Sequence, residues 1–92
     1  MTIPISDVRW RHHVEIEGTV EVLTIRPASF SAAILEIQIA DGQSVVTAVF
    51  FGYRKIEGIK PGRRLRIEGL VNNWEGKLAF LNPIYTLLAP DF

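Results

Sequence analysis

At 92 residues the chain has the size of one domain, and an apolar fraction of 48% argues against disorder. It has no cysteine, which excludes disulfides, thiolate zinc sites and cysteine nucleophiles together. Ten basic residues cancel ten acidic ones, so the total carries no basic footprint, yet residues 54–77 hold seven cations against three carboxylates while residues 1–53 hold three against six.

The opening residues MTIPISDVRWRHH lack the apolar run of an export signal, and no stretch reaches the ~20 apolar residues of a membrane span. The expected location is the cytoplasm. His13 to Ile25 then reads as a long strand, with Val14, Ile16, Val20 and Val22 on one face and Glu15, Glu17, Thr19 and Glu21 on the other. Gly18 falls mid-strand, where a glycine marks a bulge or a sharp bend. Arg26 to Ser31 breaks the alternation as a loop.

Ala33 to Ala40 is the second strand, and Asp41-Gly42 signals a tight hairpin into a third, Ser44 to Phe51. Val46, Ala48 and Phe50 are assigned to the core. Phe50 and Phe51 are neighbours on a strand, so they point to opposite faces. Residues 52–62, punctuated by glycines and a proline, have room for at most one helical turn, around Tyr53–Glu57. The fourth strand is Arg63 to Val71, with Leu65 and Ile67 alternating against Arg64, Arg66 and Glu68. Asn72 to Gly76 reads as a hairpin loop. Lys77 to Leu88 is the last strand, interrupted at Asn82-Pro83, because proline within a strand demands an edge or a bulge.

Five strands, with the one non-strand insertion between the third and fourth, predict an all-β domain over residues 1–92. A parallel fold would need helices that this pattern lacks, and a sandwich would want about seven strands. The economical solution is a five-stranded, partly open Greek-key barrel over residues 13–88.

The run VVTAVFFGYRKIEGIKPGRRLRIEGLVNNWEGKLAFLNPIYTLL, Val45 to Leu88, resembles the OB-fold wedge domain of RecG-type DNA helicases. Shared features are the aspartate-glycine turn, a strand ending in paired phenylalanines, KPGRRLRIEG, a short hairpin and LNPIY. HHVEIEGTVEVLTIRP and ILEIQIADG match more loosely, and the whole chain resembles small free-standing OB-fold proteins of actinobacteria. The resemblance implies an OB-fold that binds single-stranded nucleic acid, DNA rather than RNA. This chain has no Walker-type phosphate loop, so the helicase motor is not implied.

OB-folds take ligands on the face of strands two and three, rimmed by the one–two and four–five loops. Single strands are held by aromatic planes that stack on bases and by cations that follow the backbone. The aromatic candidates are Trp74, Phe30, Phe51 and Tyr53, of which Tyr53 is expected to pack against the barrel. Trp74 either stacks on a ligand or folds over the barrel end as a lid, and Phe30 either binds or plugs the barrel mouth. The cationic candidates are Arg26, Arg54, Lys55, Arg64, Arg66 and Lys77, with a solvated strand face as the plainer reading of Arg64 and Arg66. His12-His13 has no third ligand at metal-site spacing. Glu15, Glu17 and Glu21 are the outer face of an amphipathic strand rather than an acid/base pair. No catalytic residue, metal or cofactor is expected. The competing reading is a protein-interaction or homo-oligomerising barrel, with an apolar strip through Phe51, Tyr53 or Leu70 as its partner surface.

Overall fold

A computed structural model describes residues 1–26 and 33–89. The expectation for Phe30 lies outside the described residues. The alternation read from the sequence becomes six strands: β1 (His13–Arg26), β2 (Ile34–Ala40), β3 (Val45–Phe51), β4 (Arg64–Trp74), β5 (Lys77–Leu81) and β6 (Ile84–Leu87). Five of them close on themselves in the order β1-β2-β3-β5-β4 and back to β1, and β6 lies along β4. All contacts in this barrel-like sheet are antiparallel except β3 against β5, which is parallel. Among the described residues the one helical element is a 3-10 turn, Ile5–Asp7, and no helix is long and apolar enough to cross a membrane.

Closure depends on β1 serving two partners. His13 to Thr19 pair with β4, and Thr19 to Arg26 pair with β2, so Thr19 faces both Arg64 and Ala40. Gly18 permits the change of partner, because a Cβ there would lie 2.6 Å from both the Ala40 carbonyl oxygen and Ile39 Cγ2. The register then slips between Val20 and Val22. An extra residue in one strand turns the following side chains onto the other face. Val20 is fully buried, whereas Val22 is 46% exposed and Leu23 packs on the core in its place. The sequence expectation that Val22 joins Val20 inside is therefore corrected, and the bulge is the cause.

The β2–β3 hairpin forms where expected. Asp41 Oδ1 accepts from the Gln43 and Ser44 amides at 3.1 and 3.0 Å, and Gly42 takes φ +92°, open to glycine at no steric cost. Asp41 Oδ2 accepts from the Ile5 amide at 2.9 Å, which docks the N-terminal segment and lets Ile5 and Val8 bury. Val46, Ala48 and Phe50 are buried as expected and meet Phe80, Ile16 and Ile67 in the same apolar cluster.

Trp74 is not in a loop. β4 runs through it, and Trp74 pairs with Lys77, so the turn is only Glu75-Gly76, both at positive φ (53° and 84°). That is the two-residue hairpin turn whose twist suits antiparallel strands. The expected last strand is interrupted at Asn82-Pro83 and splits into β5 and β6. Asn82, at φ +46°, donates its amide to Val49 O at 2.7 Å and accepts the Phe51 amide on Oδ1 at 2.9 Å. This one residue continues the β3–β5 contact where the ladder stops. Between β3 and β4 the chain makes two tight turns in succession: Ile59 N donates to Ile56 O, and Arg63 N to Lys60 O, with Gly58 and Gly62 at φ +87° and +91°. A glycine third in the turn and Pro61 second suit this geometry.

Candidate ligand-binding face

Because Leu35, Ile37, Ile39 and Val46, Ala48, Phe50 point into the core, strand alternation turns Glu36, Thr47, Val49 and Phe51 outward. That outer face is nevertheless covered: Glu36 is 8% exposed, Thr47 5% and Val49 not at all. The Trp74 indole meets Phe51 edge-on, with ring centroids 5.3 Å apart at 76°. The Arg26 guanidinium lies 5.6 Å from the indole centroid, within the range of a cation–π contact.

Arg26 ties this cluster together. Its Nη1 and Nη2 donate to Glu75 Oε1 and Oε2 at 2.8 and 2.6 Å, a two-pronged pair between the end of β1 and the β4–β5 turn. Nη1 also lies 3.0 Å from Glu36 Oε2, but outside hydrogen-bonding geometry, so that buried oxygen has a charge partner and no hydrogen-bond donor. Lys77 Nζ approaches the other Glu36 oxygen at 3.9 Å. The hydrogen bond from Arg26 is the main cause that holds the Glu75 carboxyl below its ordinary range. The same bond keeps Arg26 above its own, so it stays charged. Trp74 Nε1 is buried and finds no acceptor among the described residues.

Four of the sequence-predicted residues thus share one patch: Arg26, Phe51, Trp74 and Lys77. They sit at the junction of the β2–β3 face with the β4–β5 turn. Two carboxylates, Glu36 and Glu75, balance its two cations, and neither was singled out from the sequence. Glu36 stands opposite Thr24 and Val49 in the ladders, and only strand pairing reveals that it faces Arg26.

Arg64 and Arg66 lie elsewhere, on the part of β4 that pairs with the first half of β1. Arg66 stands opposite Glu17 and donates Nε and Nη2 to its Oε2 at 3.0 and 2.8 Å. Arg64 Nη2 approaches Glu17 Oε1 at 3.8 Å. These arginines are therefore engaged with the acidic face of β1. Arg54 and Lys55 are exposed in the segment after β3. Beside them Phe51, Tyr53, Asn82, Pro83 and Tyr85 line a cleft of about 310 Å³, whose floor includes Phe50 and Ile56. Phe51 borders both this cleft and the Trp74 patch. Phe50 is the inward member of the pair, edge-on to Tyr85 at 5.8 Å. Tyr53, expected to pack, is half exposed.

No family model matches the chain, and a search of curated proteins likewise gives no match.

Proposed function

We propose that this chain is a non-catalytic OB-fold module, acting in the cytoplasm, that binds single-stranded nucleic acid at the patch where the β4–β5 turn meets the rim of β2 and β3. The closed order β1-β2-β3-β5-β4, with no α-helix among the described residues, fits a five-stranded Greek-key OB barrel. The observation that carries the proposal is the convergence of Trp74, Phe51, Arg26 and Lys77 at one patch. It lies where such barrels present ligands, between the second and third strands and the four–five turn. The RecG-like run through Val45–Leu88 favours DNA over RNA.

The charges set the character of the binding. Arg26 and Lys77 already face Glu36 and Glu75, so phosphate attraction is weak and stacking on the aromatic pair supplies most of the affinity. Stacking is worth about 1–3 kcal/mol per base. With about two phosphate contacts, the slope of log affinity against log salt is about −1.4. The test uses the Trp10→Phe variant, which leaves Trp74 as the only indole. Titration with a short oligothymidine is expected to quench its fluorescence to saturation, with that shallow salt slope. Unchanged fluorescence throughout overturns the proposal.

A second reading is favoured by the exposure of Val22 and Ile25, each 46%, on the second half of β1. In it the barrel associates with a protein partner or with its own copy, and a solution mass above that of one chain is the sign.

A further inference from the structure

The tandem turns between β3 and β4 enclose a second polar site, well apart in sequence from Arg26 and Trp74. Lys55, Lys60 and Arg63 line a pocket of about 420 Å³ together with one carboxylate, Glu57, over a floor of Ile56 and Ile59. Both isoleucines are buried, at 8% and 5% exposure, so the floor is part of the core and not a mobile flap. The turns are pinned on either side. Gly62 donates its amide to Val20 O at 2.8 Å, and Val20 donates to Arg63 O at 2.9 Å. Across the pocket wall, Gly58 packs so closely on β6 that a Cβ would lie 2.5 Å from Leu87 Cδ1.

The cations of this pocket are unspent. Among the described residues, Lys55, Lys60 and Arg63 form no ion pair, in contrast to Arg26 and Arg66. Arg63 Nε is buried with no acceptor. The Arg63 charge is thus not answered among the described residues, and an anionic oxygen is the partner that suits a guanidinium best. Three cations against one carboxylate leave a lining charge of +2. A phosphate monoester carries about −1.5 to −2 near neutrality, which matches that lining better than the single charge of a phosphodiester.

We infer that the β3–β4 turns form a binding site for a phosphate monoester, held by Lys55, Lys60 and Arg63. Two sources share that chemistry, the terminal phosphate of a nucleic-acid strand and a small phosphorylated molecule. The site does not depend on the nucleic-acid reading of the Trp74 patch, and its readout is separate from Trp74.

Amide NMR of the whole chain tests it, with inorganic phosphate titrated at constant ionic strength against chloride. Saturable shifts are expected at Gly58, Lys60 and Arg63. Lys60→Gln is expected to weaken binding about tenfold, the loss of one charge-assisted contact. Arg63→Lys keeps the charge but removes the planar guanidinium, and is expected to weaken binding while leaving the rest of the spectrum in place. Shifts that do not saturate, that chloride reproduces, or that both variants retain overturn the inference. A second arm compares one oligonucleotide ending in a phosphate with the same one ending in a hydroxyl. Tighter binding of the phosphorylated strand than of inorganic phosphate assigns the site to strand termini, and equal binding of those two assigns it to small phosphorylated molecules. Equal binding of the two strands at these turns points to internal diesters and overturns the monoester assignment.

Discussion

Arg26 and Glu75 stand 49 residues apart in the chain and meet through two hydrogen bonds of 2.8 and 2.6 Å, joining the end of β1 to the β4–β5 turn. The pair has a pH signature whose sign is fixed. Glu75 has its carboxyl lowered in the folded chain, chiefly by the hydrogen bond from Arg26. The contribution to stability is thus complete above the unfolded value of about 4.3 and disappears as pH falls through the lower folded value. Arg26 is shifted upward, so its side of the linkage would be lost only in strong alkali. Glu75→Gln is therefore expected to lower the melting temperature at neutral pH and to converge on the parent as the solution is acidified. Melting curves over that range check it, and parallel curves with no convergence would count against the pair.

The same substitution has an opposite consequence for ligand binding. Removing the Glu75 charge releases Arg26 from its two-pronged partner and raises the net charge of the patch by one. Oligonucleotide affinity is expected to rise roughly two- to fivefold, in line with the strength of exposed ion pairs. Lys77→Gln, which removes one of the two cations, is expected to lower it and to flatten the salt slope by about 0.7. Fluorescence titration of Trp74 in the Trp10→Phe background measures both. A Glu75→Gln variant that binds less tightly would mean that the carboxylate itself contacts the ligand.

Asn82 does two tasks that substitution separates. Its backbone adopts φ +46°, and its Oδ1 accepts the Phe51 amide at 2.9 Å. Asn82→Gly relieves the backbone but loses the acceptor, with an expected cost of about 0.5–1.5 kcal/mol. Asn82→Ala loses both and is expected to cost about 1–2 kcal/mol. Chemical denaturation gives the order, and hydrogen exchange of the Phe51 amide is expected to accelerate in both variants. Equal stability of all three chains would show that the kink between β5 and β6 is held by other contacts.

Much of the strand pattern was legible because it is local. A period of two marked Ile16, Leu35, Ile37 and Leu65 as inward, and Asp41-Gly42 specified a hairpin from two adjacent residues. Parity required Phe50 and Phe51 to point opposite ways, but only the β2–β3 pairing shows that Phe50 is the inward one. What was not legible depends on pairing between distant segments. The slip after Val20 turns Val22 outward, and it arises from matching β1 to β2 rather than from any residue in β1 alone. Strand pairing through Trp74 shortened the presumed loop to two residues. The two arginine–carboxylate pairs, Arg26 with Glu75 and Arg66 with Glu17, each span 49 residues. Seven cations in residues 54–77 therefore looked like one basic region, whereas the fold divides them among the Trp74 patch, the β1–β4 face and the β3–β4 turns.

Gly18 and Gly69 provide a test of the closure itself, because both lie in strands yet face opposite constraints. A Cβ on Gly18 would approach the Ala40 carbonyl oxygen and Ile39 Cγ2 to 2.6 Å, and a backbone oxygen cannot rotate away. Gly18→Ala must then push β1 from β2 beside Thr19, where β1 changes partner. The expected cost is about 1–3 kcal/mol, typical of overpacking. For a domain of this size each kcal/mol lowers the melting temperature by roughly 4–8 °C. A Cβ on Gly69 would instead meet Phe80 and Pro83 at 3.5 Å, an ordinary contact. Gly69→Ala is expected to be neutral or to stabilise by up to about 1 kcal/mol, since alanine restricts the unfolded chain more than glycine does. Thermal melts of the two variants check the contrast. If Gly18→Ala melts with the parent, β1 does not pass as close to Ala40 as closure of the sheet requires.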